Sequence, residues 1–193
     1  MIFHANPVRT LSMFDLIKSI QSRDPAKPTT MEVILAYPGF HVLGFHALAS
    51  ALWHKNLRAF GRFVSHVGRL LTGIEIHPGA EIGKNLFIDH GMGTVIGETA
   101  IIGDNVTLYQ NVTLGGRGSM TSGKRHPTLK DNVMVGSGAV VLGDITIGAN
   151  ARIGANAIVT KNMPDGATAI NAAAEIKTFE CQECSYGLPI EDL

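Results

Sequence analysis

The sequence predicts a mainly β fold: a left-handed parallel β-helix on a six-residue repeat, preceded by a small α-helical N-terminal domain. Two observations predict the coil. Aliphatic residues recur every six positions from about Ile76 to Met163, and a second small or aliphatic residue sits four positions after most of them. Glycine is frequent, at 22 of 193 residues, while aromatics are only 6%, which suits tight corners and a core of small side chains. A third observation predicts the head. Residues 10–73 place apolar side chains at the three-to-four spacing of packed helices.

The head divides at its punctuation. Ser12 caps a first helix running through Ile20, and Asp24-Pro25 ends it, because a residue before proline is biased away from helical dihedrals. Thr29 and Glu32 have capping-box spacing and open a short helix to about Ala36. Pro38-Gly39 breaks the chain again. Phe40–Trp53 then places Phe40, Leu43, Ala47 and Ala51 on one side. Arg58–Leu71 does the same with Phe60, Phe63, Val64, Val67 and Leu71, and Gly73 is its C-terminal stop.

From residue 74 the period becomes six. The anchors are Ile76, Ile82, Ile88, Ile96, Ile102, Leu108, Leu114, Val135, Val141, Ile147, Ile153 and Val159. Helices repeat near 3.6 and strands near 2, so neither alone generates six. A triangular coil does, with a short strand on each side and about 18 residues per turn. Gly83, Gly97, Gly103, Gly136, Gly148 and Gly154 fall where a corner packs closely or needs permissive dihedrals. The resulting organisation is a head over 1–73, a coil over 74–168 with an inserted loop at about 115–131, and a tail over 169–193. The register breaks twice. Ile88 to Ile96 is eight residues, and Leu114 to Val135 is 21, which leaves room for a polar, glycine-rich loop of about fifteen residues.

Bulk properties exclude several function classes. Net charge is zero, with eight Lys/Arg against three Asp/Glu in residues 1–70 and eight against thirteen in residues 71–193. That uneven charge is the solvated face of the head, and no basic cluster with interleaved aromatics points to nucleic acid. The opening MIFHANPVRT lacks the pattern of a signal peptide. The longest apolar stretch, Val42–Trp53, is too short to span a bilayer, so a cytoplasmic, non-membrane protein is expected. Cys181 and Cys184 form a single Cys-x-x-Cys, which supplies only half a zinc set and lacks a βαβ context for redox work.

The chemistry-bearing residues lie beside the register breaks. His90 follows Asp89 at the eight-residue step, and Glu75 lies fifteen residues earlier, nearly one coil turn. Stacked turns are about 4.8 Å apart, within reach for a carboxylate that orients an imidazole and raises its basicity. Such an imidazole is a general base for a hydroxyl nucleophile. Arg125-His126-Pro127 sits on the inserted loop, where an arginine can hold a carboxylate in bidentate fashion. Gly115-Gly116 offers backbone N–H groups at the loop root, without the Gly-Lys-Ser/Thr of a phosphate loop.

Together, SRDPA (22–26), GFH (39–41), IEIHPGAEIG (74–83), FIDHGMG (87–93), VIGETAIIGDNVTLYQNVTLGG (95–116) and KRHP (124–127) resemble the serine O-acetyltransferases of cysteine biosynthesis, within the hexapeptide-repeat acyltransferase superfamily. The resemblance implies transfer of an acetyl group from acetyl-CoA, a co-substrate rather than a permanently bound cofactor, to the hydroxyl of L-serine. It makes His90 the general base, with Glu75 standing where the family has an aspartate. It gives Asp24 and Asp89 to the substrate amino group, and Arg125 and His126 to its carboxylate. It places acetyl-CoA between adjacent coils of a trimer, along Gly115, Gly116, Gly136 and Ala157, and requires no metal. It further implies self-association as a trimer or a dimer of trimers, cysteine feedback inhibition, and a complex with cysteine synthase through the C-terminal tail. The head is shorter than in the long forms of the family. Ala169-Ile170-Asn171-Ala172-Ala173 replaces the usual Gly-Val-Pro-Ala-like turn, and the tail ends in Leu193 rather than isoleucine.

Three other readings use the same residues: an acetyltransferase for homoserine or a sugar, a metal hydrolase built on His77, His90 and His126, and a non-enzymatic trimeric scaffold. The acid pair with Arg125 favours an amino-acid substrate. Zinc would need three imidazoles converging on one point.

Overall fold

The computed structural model describes residues 12–118 and 123–176, together with the backbone of a short antiparallel pair, Cys184–Ser185 with Leu188–Pro189. Four helices come first: α1 (Met13–Arg23), α2 (Thr30–Ala36), α3 (Pro38–His54) and α4 (Arg58–Thr72). Ser12 caps α1 through its hydroxyl, and Thr29 with Glu32 closes a full capping box on α2. Both starts agree with the sequence, although α1 continues to Arg23 rather than stopping at Ile20. The break at Pro38-Gly39 is smaller than expected. Pro38 occupies the first turn of α3, where its missing N–H costs nothing, so only Tyr37 separates α2 from α3. Gly73 ends α4 in the left-handed conformation, φ 71°, as expected of a helix stop.

The coil follows as fourteen short strands in three parallel sheets. Face A stacks β1 (Glu75–Ile76), β4 (Val95–Ile96), β7 (Thr113–Gly115), β10 (Val140–Leu142) and β13 (Ile158–Val159). Face B stacks β2 (Glu81–Ile82), β5 (Ile101–Ile102), β8 (Thr128–Leu129) and β11 (Thr146–Ile147). Face C stacks β3 (Phe87–Ile88), β6 (Thr107–Leu108), β9 (Met134–Val135), β12 (Arg152–Ile153) and β14 (Thr168–Ala169). The left-handed parallel β-helix expected from the repeat is therefore the fold. Each anchor meets its counterpart one turn below, as Ile76 does Ile96 and then Leu114. This stacked interior is the apolar core, with Ile96, Leu108, Leu114, Val135, Val141 and Ile147 at most 1% exposed.

Two expectations are corrected and one is narrowed. Leu129 is itself an anchor, aligned with Ile102 and Ile147. The excursion therefore runs only from the end of β7 to the start of β8, and the coil resumes before residue 131. Second, the corner glycines are there for close approach rather than for φ. A Cβ on Gly83, Gly103 or Gly148 would strike the backbone of the next turn. The left-handed corner positions fall mostly to asparagine instead: Asn85, Asn105, Asn132 and Asn150 between faces B and C, and Asn111 and Asn156 between C and A. Asparagine adopts this region readily and can hydrogen-bond its neighbour, as Asn85 Nδ2 does to Asn105 Oδ1 at 3.0 Å.

Third, the apolar side of α4 does not face inward. Phe60 and Phe63 are 65% exposed, and Leu70 and Leu71 are 71% exposed. The buried residues are the small ones, Gly61, Ser65, Gly68 and Thr72, because α4 approaches α3 closely. A Cβ on Gly61 would lie 2.8 Å from the Ala49 carbonyl, and one on Gly68 2.9 Å from Phe45 Cβ. Ser65 also donates to the Ile76 carbonyl at 2.6 Å, which ties α4 to β1. Among the described residues no single helix is long and apolar enough to cross a membrane. Cys181 and the chain end Ile190–Leu193 lie outside the described residues, and with them the expectation about cysteine synthase.

Candidate active site

Two clusters form at different corners of the coil. The first lies between faces C and A, where the eight-residue step makes the segment 89–94 bulge. His90 occupies a left-handed conformation there, φ 56°, a region a histidine rarely enters. Its side chain is 74% exposed, and its ring Nε2 lies 3.9 Å from Asp89 Oδ1, too far for a hydrogen bond. The α3 N-terminus presses on this strand end. Gly39 packs so closely on the Ile88 carbonyl that no side chain would fit.

Asp24 arrives from the head. Arg23 holds the end of α1 on the coil by donating to the carbonyls of Asn85, Asn105 and Val106, and it lies over the Phe87 ring. Asp24 is 7% exposed. It accepts from the Ala26 N–H at 2.8 Å and from the Tyr37 hydroxyl at 2.6 Å. Burial and that hydrogen bond push the Tyr37 phenol up to about 12, with the charges of Asp24 and Asp89 adding to the effect. Burial also raises the Asp89 carboxyl above its ordinary value, and Asp24 raises it further while His90 opposes the shift. Asp24, Asp89 and His90 therefore lie close enough to act on one another electrostatically. Tyr37 was not foreseen. An aromatic between two helices reads as core, and only its hydroxyl reveals another role.

The second cluster lies between faces A and B, where the excursion leaves the coil. His126 is 7% exposed and lies flat on the preceding turn, against Gly97, where any side chain would collide with its ring. Its Nδ1 accepts from the Thr99 N–H at 3.1 Å and meets the Thr99 hydroxyl at 2.9 Å. A backbone N–H can only donate, so the ring proton sits on Nε2. Burial, then Arg125 and Lys124, lower the His126 pKa, while Glu98 opposes the shift. Arg125 gives one guanidinium nitrogen to Glu98 at 2.7 Å, and Lys124 Nζ ties the loop to the Thr99 carbonyl at 2.9 Å.

The structure thus brings together Asp24, Asp89 and His90 at one corner, and Arg125 and His126 at the other. Face A separates the two groups within one chain. Glu75 opens face A beside the first corner, and no hydrogen bond or ion pair joins it to His90. Its Oε2 pairs with Arg69 at 2.9 Å. Gly115 and the exposed Gly116 lie on the Arg125 ridge, whereas Gly136 and Ala157 lie on the His90 ridge. Ala157 is 4% exposed, and its N–H and carbonyl bond within the coil. Its neighbour Ile158 points outward and is 72% exposed. The Gly136 N–H and carbonyl are likewise committed, to Ile153 and Ala139. His77 and His126 share one corner while His90 is at another, and no three metal-ligating side chains converge among the described residues.

The six-residue rungs, the excursion with its Arg-His pair and the histidine on a register break define a hexapeptide-repeat acyltransferase. The model of the bacterial transferase hexapeptide (six repeats) matches residues 126–161. The serine acetyltransferase of Synechococcus elongatus is 54% identical over 157 residues, 81% of this chain and 64% of that protein. That of Helicobacter pylori is 53% identical over 169 residues, 86% of this chain and 98% of that protein. Among solved structures, serine acetyltransferase isoform 3 of Entamoeba histolytica, in complex with cysteine, has a TM-score of 0.81 at 40% identity, covering 87% of this chain and 60% of that one. The soybean enzyme complexed with serine has a TM-score of 0.80 at 37% identity, covering 84% of this chain and 67% of that one. The chain belongs to the serine acetyltransferase family.

Proposed function

We propose that the chain transfers the acetyl group of acetyl-CoA to the hydroxyl of L-serine, giving O-acetyl-L-serine and CoA. The observation that carries this reading is the acid slot of Asp24 and Asp89 beside His90, in a chain of this family. The slot takes the serine ammonium, with the Tyr37 hydroxyl holding Asp24 in place. His90 removes the hydroxyl proton as the serine oxygen attacks the thioester carbon. The tetrahedral intermediate then expels the CoA sulfur, which leaves with a proton from the imidazolium. Arg125 has guanidinium N–H groups beyond the one on Glu98, and with His126 Nε2–H they suit the serine carboxylate.

The two clusters lie at different corners of face A, so one site needs the first corner of one subunit and the second corner of another. A trimer that packs face A between neighbours supplies both. The outward residues Val95 and Ile158 make that face partly apolar, at 37% and 72% exposed. Acetyl-CoA then runs between two ridges, with Gly115 and Gly116 on one wall and the outward neighbours of Gly136 and Ala157 on the other. The working units are a head over 1–73, a coil over 74–168 and a tail over 169–193, in a cytoplasmic enzyme.

Thiol release from acetyl-CoA, measured with serine, homoserine and an amino sugar, tests the reaction. Serine is expected to give the highest kcat/KM, and no release above background with serine sinks the reading. Asp24→Asn is expected to raise the KM for serine about tenfold or more, the scale of a charge-assisted hydrogen bond. The KM for acetyl-CoA should stay within about twofold, because that change leaves the CoA groove intact.

A further inference from the structure

Three elements meet where the head joins the coil. The last turns of α4 carry Arg62, Ser65, His66 and Arg69, which form a shallow pocket around the Glu75 side chain. Glu75 opens β1, aligned with Val95. The bulge 89–94 that carries His90 rests on the same junction, since Gly93 N–H donates to the Gly73 carbonyl and Glu75 N–H to the Thr94 carbonyl, each at 2.9 Å. Met92 covers Gly73 so closely that a Cβ there would strike its sulfur. Arg69 and the bulge that carries His90 therefore both meet the chain at Glu75, the first through its carboxylate and the second through its backbone N–H.

That glutamate is held at one oxygen only. Arg69 Nη1 pairs with Oε2 at 2.9 Å, and Oε1 has no hydrogen-bond donor among the described residues. A glutamate has one more side-chain torsion than an aspartate, so an unanchored Glu75 would lose more rotamer entropy on settling against a ring. An anchor on one oxygen removes part of that cost in advance and leaves the second oxygen to be presented. We propose that Arg69, in the helical head, is a positioning residue that fixes Glu75 so that its free oxygen can orient the His90 imidazole. This rests on the reading of His90 as the base. It makes α4 part of the catalytic apparatus without contact with substrate, and it explains how the longer acid can serve at that position.

Steady-state CoA release by the intact protein tests it, using wild type, Arg69→Gln, Arg69→Lys, Glu75→Gln and the double variant Arg69→Gln/Glu75→Gln. Arg69→Gln is expected to lower kcat about tenfold, part of the hundredfold that a misplacement of about 1 Å can cost. Both KM values should stay within about twofold, and Arg69→Lys should recover kcat to within about threefold of wild type. In the Glu75→Gln background the further loss should be under about twofold, because the two residues act as one unit. The proposal is overturned if folded Arg69→Gln has unchanged or higher kcat, if it loses as much without Glu75, or if Arg69→Lys is no better than Arg69→Gln. A helix staple alone would lower the unfolding midpoint without this kcat pattern. Should Arg69→Gln not fold, Arg69→Met keeps the stem packing and is read by the same criteria. Wild type lacking serine-dependent release would remove the underlying reaction as well, an outcome distinct from an active wild type with an indifferent Arg69.

Discussion

Replacing His90 is expected to lower kcat for serine acetylation by at least roughly two orders of magnitude, the ordinary scale of general-base catalysis. The choice of replacement matters because His90 stands in the left-handed region, at φ 56°. Alanine there strains the bulge, so His90→Ala mixes loss of the base with a backbone cost. Asparagine already holds the left-handed corner positions at Asn111 and Asn156, so His90→Asn removes the base with the least change in fold. Both variants are expected to lose activity, and His90→Asn should keep the thermal midpoint of the wild type. With an exposed ring and a carboxylate 3.9 Å away, His90 contributes little to packing, so a large rate loss has no structural explanation. A loss below about tenfold would assign the proton transfer to another group.

The coil was legible because its core repeats. Each rung must place an aliphatic side chain inward, and that requirement prints a period of six on the sequence from Ile76 onward. Leu129 is hidden because the excursion before it shifts the phase, so the period of six is plain again only from Val135. The corner glycines could serve close packing or positive φ, and the sequence does not distinguish the two. Here the asparagines carry that conformation, and the glycines serve close approach between turns. The reversed α4 face has a similar cause. Apolar periodicity does not say which face of a helix meets its neighbour, and close contact with α3 needs small residues. Phe60, Phe63 and Leu71 are therefore exposed, although their spacing is that of a buried face.

The site was legible at the level of residue type and not of arrangement. Breaks in a strict repeat drew attention to Asp89-His90 and Arg125-His126, and both pairs fall at corners where side chains project. Asp24 entered only through resemblance, because a turn aspartate before proline carries no sign of burial. Its 7% exposure and its bond to Tyr37 are long-range results of docking α1 on the coil through Arg23. The Arg69–Glu75 pair was likewise invisible, since any acid beside a helix end has many potential partners.

Mixing two inactive variants is expected to restore activity, and the amount restored reports how the site is divided. His90→Asn is expected to inactivate the corner between faces C and A, and Arg125→Ala the one between A and B. If each site takes His90 from one subunit and Arg125 from its neighbour, a site works only when the first subunit is an Arg125→Ala chain and the second a His90→Asn chain. In a trimer assembled at random from equal amounts, that has a chance of one half times one half, so about a quarter of wild-type activity should return. Chains must be mixed before assembly, by co-expression or by unfolding and refolding together. Were both corners to serve one site within a single chain, no mixture could contain an intact site, and activity would stay at the level of the parents. Asp24→Asn mixed with His90→Asn is the control. Asp24 and His90 lie together at one corner of the same chain, so this pair should not exceed its parents. Recovery in the first mixture and none in the second would follow from face A lying between the two corners, which makes the site a property of the interface rather than of the chain.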